Sequence, residues 1–161
     1  MRRLLAVLFF CLAGCGDETL PRLDSGDAAP VFSTTTSDGQ PYTLPAGGSG
    51  RPLLIAFWAD WCRYCAAELR AIDTLHRRRP GAFTVVAINT GQDRATVAAF
   101  ARKLDLGYPA LLDAGAAITR RYGVIGLPAT YLVDAQGIVR GKLLGEADAA
   151  TIERQLAALL P

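Results

Sequence analysis

Two kinds of apolar patterning run along this chain. Apolar runs of strand length occupy residues 53–58 and, interrupted by Thr84 and ending at Asn89, 83–89, as expected of strands buried on both faces. Between and after them, apolar residues recur at helical spacing. Residues 62–78 read as a helix that stops at Pro80-Gly81, and 93–104 as a second, with Val97, Phe100, Ala101 and Leu104 on one face. A short extended piece at 108–112, a short helix at 114–122 and a closing helix at 148–160 complete the helical and mixed segments. Two hairpins are marked by their turns. Ser37-Asp38-Gly39-Gln40 divides 31–44, and Asp134-Ala135-Gln136-Gly137 joins strands at 130–133 and 138–144. Strands alternating with helices and ending in a hairpin plus a helix predict an α/β fold with a mixed sheet covered on both faces.

The first thirty residues follow neither pattern. Met1-Arg2-Arg3 and the apolar stretch 4–12 have the layout of a secretory signal. That stretch is shorter than the roughly 20 residues a membrane-spanning helix needs. It ends in Leu12-Ala13-Gly14-Cys15, which resembles the bacterial lipobox, so Cys15 is the expected site of lipidation and the first mature residue; a plain signal peptide with an incidental Cys15 is the alternative. Residues 16–30, rich in Asp, Gly, Ala and Pro, read as a flexible tether. The expected organisation is a signal peptide at 1–14, a lipidated N-terminus and tether at 15–30, and one domain at 31–161.

Processing of this kind changes both the charge and the cysteine count. Losing Arg2 and Arg3 takes the formal net charge from +2 to zero, and nothing calls for a nucleic-acid partner. Cys11 is removed and Cys15 consumed, so Cys62 and Cys65 alone remain in the domain. They lie in Trp61-Cys62-Arg63-Tyr64-Cys65, directly after the first apolar run. A buried strand that delivers Cys-x-x-Cys to a helix N-terminus is a redox device, because unpaired N–H groups and the helix dipole favour a thiolate. The two cysteines, three residues apart, can close a small disulfide. Structural zinc needs four ligands, and His76 is the single histidine, so no metal or other cofactor is expected. His76 precedes three arginines at a helix end and reads as part of a solvated cationic face.

Phe57-Trp58-Ala59-Asp60-Trp61-Cys62-x-x-Cys65 and the later Gly126-Leu127-Pro128-Ala129-Thr130 resemble the two signatures of the thioredoxin superfamily. The early hairpin, an extra strand–helix segment and Glu68 are similar to the membrane-anchored TlpA/ResA-like thiol–disulfide oxidoreductases. That resemblance implies a thioredoxin fold with an N-terminal β-hairpin and an inserted strand and helix. It implies that Cys62 attacks and Cys65 resolves the mixed disulfide, and that Pro128 follows a cis bond facing the pair. Leu127 would then present its backbone to a client chain and Trp61 would lie at the rim. The buried acid of thioredoxins proper is replaced by Ala56, and Glu68, three residues after Cys65, is the candidate substitute; a solvated acid near the helix start is the rival reading of Glu68. Arg63, beside Cys62, would stabilise its thiolate and raise the reduction potential.

The function so implied is reduction of envelope protein disulfides, cytochrome c maturation or similar. The expected partners are protein dithiol or disulfide clients such as apocytochrome c, a DsbD/CcdA-type membrane reductant, and a membrane held through the lipid. The expected location is extracytoplasmic and periplasm-facing, and the expected state a monomer. A tethered oxidase or isomerase and a non-catalytic metal- or peptide-binding module are the rival readings. A DsbA-type oxidase would need a large helical insertion between the motifs, for which the intervening segment is too short.

Overall fold

The computed structural model describes residues 22–45 and 47–160; the expected signal peptide, Cys15 and the first part of the expected tether lie outside them. Seven strands and four helices follow in the order β1 (Phe32–Thr35), β2 (Pro41–Leu44), β3 (Leu53–Trp58), α1 (Cys65–Arg78), β4 (Thr84–Thr90), α2 (Arg94–Leu104), β5 (Ala110–Asp113), α3 (Ala117–Arg121), β6 (Ala129–Val133), β7 (Val139–Leu144) and α4 (Ala149–Ala157). β3 to β7 form one sheet in the order β5-β4-β3-β6-β7. β4 runs parallel to β3 and β5, while β6 runs antiparallel to β3 and β7.

All six residues of β3 are buried, which explains why its run carries no alternation. Leu54, Ala56 and Trp58 join a core formed with α1, α2 and α4. Leu53, Ile55 and Phe57 join a second core with the β1–β2 hairpin and α3. The period-two pleat thus divides one apolar strand between two cores. The fold is α/β with a mixed five-strand sheet, thioredoxin-like, preceded by a two-strand sheet. The hairpin leans on the β5 edge, where Ser37 N–H donates to the Ala110 carbonyl at 2.8 Å and Thr36 bridges Leu111, and this leaves that edge covered.

The structure corrects three local expectations. α1 begins at Cys65 rather than Cys62; residues 59–64 form turns in which Cys62 N–H donates to Ala59 and Cys65 N–H to Cys62. Residues 22–30 are not a loose tether. Leu23 is buried, Gly26 N–H donates to the Val139 carbonyl at 2.8 Å, Val139 N–H donates back to Asp27 at 2.9 Å, and Lys142 pairs with Asp24 at 2.7 Å. This strap covers the first part of the exposed edge of β7. His76 is half-buried, with its ring edge-on to Phe83 and Tyr108 at 5.6 and 6.0 Å, so it packs and does not belong to a solvated face.

Candidate active site

β3 ends at the sheet's centre, and the turn that follows carries the cysteines to the start of α1. Cys62 and Cys65 are joined by a disulfide with Cα atoms 5.4 Å apart. Cys62 keeps 7% of its surface exposed and Cys65 none. That difference fits an attacking and a shielded sulfur, because exchange requires access. The helix start has Tyr64 at its cap position and no side-chain cap, so no Ser, Thr or Asp competes with a Cys62 thiolate for the positive end of the helix.

Glu68 sits one turn along α1 from Cys65, and only 2% of it is exposed. Its Oε1 accepts from the Thr130 hydroxyl at 2.6 Å and its Oε2 from Ala147 N–H at 3.1 Å. Thr130 is the cross-strand partner of Ala56. The carboxylate missing from β3 is therefore supplied to nearly the same place from the helix. Burial raises the Glu68 pKa above its ordinary value; the Thr130 and Ala147 hydrogen bonds oppose the shift, and nearby Glu146 adds to it. The solvated reading of Glu68 is excluded by its burial.

Leu127 and Pro128 lead into β6 at the same end of the sheet, and their peptide bond is cis. Leu127 packs against the core that contains both cysteines, and the Pro128 carbonyl accepts from Gly145 N–H at 2.9 Å. Trp61 is 70% exposed, whereas Trp58 is fully buried and stacked on Phe100 at 4.7 Å. The Arg63 guanidinium lies 5.4 Å from the centre of the Tyr64 ring, an exposed cation–π pair beside Cys62.

Several contributors were not singled out in the sequence. Thr130 was visible inside the Gly-Leu-Pro-Ala-Thr motif without an assigned role, and Ala147 acts through its backbone, which leaves no side-chain signal. Gln92 binds the turn before the cysteines: its Oε1 accepts from Asp60 N–H at 2.9 Å and from Asn89 Nδ2 at 2.8 Å, and its Nε2 donates to the Asp60 carboxylate. Among the described residues no three His, Cys, Asp or Glu side chains converge as a metal site, and no helix is long and apolar enough to cross a membrane.

Comparison with known proteins agrees with this geometry. The model of the AhpC/TSA family matches residues 25–142. The thioredoxin-like protein YneN of Bacillus subtilis is 32% identical over 137 residues, which are 83% of this chain and 79% of that protein. The thiol–disulfide oxidoreductase ResA of Bacillus thuringiensis is 28% identical over 141 residues, 87% of this chain and 81% of its own length. The crystal structure of a putative thiol:disulfide interchange protein DsbE from Chlorobium tepidum superposes with a TM-score of 0.79 at 27% identity, covering 86% of this chain and 99% of that one.

Proposed function

The chain belongs to the AhpC/TSA family of thioredoxin-like proteins and is a thiol–disulfide oxidoreductase of the ResA/DsbE type, and we propose that it works as a reductase of protein disulfides outside the cytoplasm. The observation that carries this reading is the Cys62–Cys65 pair with the buried carboxyl group of Glu68 one turn beyond it.

In the reducing direction the Cys62 thiolate attacks one sulfur of a client disulfide. A Cys62–client bond forms as the client bond breaks, and the departing client thiolate takes a proton. Cys65 then gives its proton to Glu68 and attacks the Cys62 sulfur. The Cys62–Cys65 disulfide closes, the second client sulfur leaves as a thiolate that takes the proton from Glu68, and two electrons have passed to the client. A dithiol donor must return those electrons, and a DsbD/CcdA-type membrane protein fits that need. Apocytochrome c, whose cysteines must be reduced before haem attachment, fits the client role.

The reductase direction is supported by what lies between the two motifs. Only β4, α2, β5 and α3 separate α1 from the Pro128 turn, with no helical domain of the kind that strong oxidants insert. Anchoring through a lipid on Cys15 and attack by Cys62 are part of the same proposal. Equilibrating the Cys62–Cys65 pair against glutathione and counting free thiols by mass spectrometry tests its direction. The expected potential lies well below that of DsbA at about −120 mV, toward thioredoxin at about −270 mV. A value at the DsbA end would make the protein an oxidase or isomerase.

A further inference from the structure

Thr130 lies inside a strand whose five residues are all buried, and no part of it is exposed. Valine has the same shape without the cost of burying a hydroxyl, so the partner of the hydroxyl is informative. That partner is Glu68 Oε1, at 2.6 Å. Glu68 comes from α1, three residues after Cys65, and Thr130 from β6, two residues after Pro128. The bond therefore ties the helix that starts at Cys65 to the strand that the cis turn leads into.

The other buried acid of α1, Asp73, has a cation: Arg77 lies against it at 2.5 Å, and Gly107 N–H donates to it at 2.7 Å. Glu68 has no cation partner among the described residues. It is held by the Thr130 hydroxyl and, on Oε2, by Ala147 N–H at 3.1 Å. The titratable groups around it bring no positive charge. They are Cys65 one turn back on α1, the exposed Glu146 in the β7–α4 loop, and Tyr108 before β5, whose hydroxyl is committed to the Leu69 carbonyl at 2.8 Å. The two donors to Glu68 are not equivalent. A backbone N–H can only donate, so Ala147 serves Oε2 whether the acid is charged or neutral. A hydroxyl donates and accepts. Thr130 can donate to the carboxylate or turn and accept from a protonated Oε1, so its contact outlasts a change of charge.

We propose that Thr130 is a positioning residue of the exchange reaction: its hydroxyl holds the Glu68 carboxyl group and lets it give a proton to Cys65 and take one back. The proposal rests on Glu68 acting as the proton partner of Cys65, and it adds the side chain through which Glu68 does so. When a reductant thiolate opens the disulfide, it bonds to the Cys62 sulfur as the Cys62–Cys65 bond breaks. The Cys65 sulfur takes the electron pair and then the Glu68 proton, and Thr130 turns to donate to the carboxylate that remains. A hydrogen bond to an ion is stronger than one to a neutral acid. Losing the hydroxyl therefore disfavours the charged form and moves proton release to higher pH.

The test is reduction of the full-length oxidised chain by dithiothreitol between pH 4 and pH 9, each rate divided by the dithiothreitol thiolate concentration. One dithiothreitol sulfur attacks Cys62 and the other then displaces it, so that two electrons pass to the pair, cyclic oxidised dithiothreitol leaves, and Glu68 regains its proton from solvent. The normalised rate is expected to fall through a step at the pH where Glu68 loses its proton, and the carbon-13 resonance of the Glu68 carboxyl group should give the same midpoint. Thr130→Val is expected to raise both midpoints by about one pH unit. Thr130→Ser, which restores the hydroxyl, should return them to the unmodified value. In the unmodified protein the Thr130 methyl resonance should titrate with the same midpoint, a readout that needs no variant to fold. Midpoints that Thr130→Val leaves in place, or a Thr130 methyl that does not follow the Glu68 titration, would make the hydroxyl a purely structural contact and overturn the proposal. No kinetic step in the unmodified protein, or one that persists in Glu68→Gln, would instead refute Glu68 as the proton partner.

Discussion

Replacing Glu68 separates its two roles, as a buried acid in the core and as the proton acceptor for Cys65. Glu68→Ala strips the Thr130 hydroxyl and Ala147 N–H of their acceptor. Thr130 has no exposed surface, so its hydroxyl alone is expected to cost about 1–3 kcal/mol when left unpaired. Glu68→Gln keeps the shape and both bonds, with its carbonyl accepting from Ala147 and its amide donating to the Thr130 oxygen, so its stability at low pH is expected to match the unmodified protein. The two then diverge as pH rises. Burial raises the folded-state pKa of Glu68, so the native state holds a proton that the unfolded chain has already released. Stability therefore falls as pH climbs from the unfolded value of about 4.3 to the raised folded value, by at most about 1.4 kcal/mol per pH unit, and is level above it. The Gln variant lacks this loss and should become the more stable of the two at neutral pH. Urea denaturation of the oxidised proteins between pH 4 and pH 8 measures the difference. Parallel stability profiles would show that Glu68 titrates normally, and the proton-transfer role would fall with it.

Other consequences are open to direct measurement. In Cys65→Ser, thiolate absorbance is expected to give Cys62 a pKa below the roughly 8.5 of a free cysteine; a value at or above that would show that the uncapped start of α1 does not act on it. Arg63→Ala is expected to lower the reduction potential, by on the order of 20 mV or less, because the Arg63 charge is exposed and stacked on Tyr64; a larger shift would mean direct contact with the sulfur. Leu23→Ala is expected to cost about 2 kcal/mol and to open residues 22–30 to limited proteolysis while the disulfide exchange rate with small probes persists; an unchanged digestion pattern would show that the backbone bonds to β7 and the Asp24–Lys142 pair hold the strap without Leu23. Cys15→Ala is expected to move active protein from the membrane to the soluble fraction, since durable attachment needs more than one acyl chain; retention would assign the attachment to another segment.

The elements that were legible in the sequence are those whose signal is local. β3 and β4 announce themselves as apolar runs because both faces of the sheet are covered. The starts of α2 and α4 are written in Asp93 and Asp148, whose carboxylates accept from the N–H groups of Thr96 and Thr151 at 3.0 and 2.8 Å. The hairpin turn at Asp38-Gly39 needs a positive φ, which Gly39 supplies at 95°. The start of α1 was misplaced for a related reason. The spacing of Cys62 and Cys65 is compatible with a helical turn, but the residues before Cys65 include no capping side chain to mark where the turn ends and the helix begins.

What stayed hidden depends on register and on backbone groups. Glu68 was already the candidate for the buried acid, but what decides it against a solvated acid is Ala56 facing Thr130 across β3 and β6, a pairing that no local pattern contains. A small residue at position 56 leaves room beside the Thr130 hydroxyl, and a carboxylate reaching in from α1 takes it, so the absence of an acid in β3 and its presence on the helix are one arrangement. The strap escaped notice because Leu23 is its one large apolar residue and the remaining attachment runs through the backbone atoms of Gly26, Asp27 and Ala29 and through the distant pairing of Asp24 with Lys142. Composition reports flexibility only where a segment has nothing to pair with. Here the outer edge of β7 offers a row of unpaired N–H and C=O groups, and nine residues that look like linker become the strap that covers its first part.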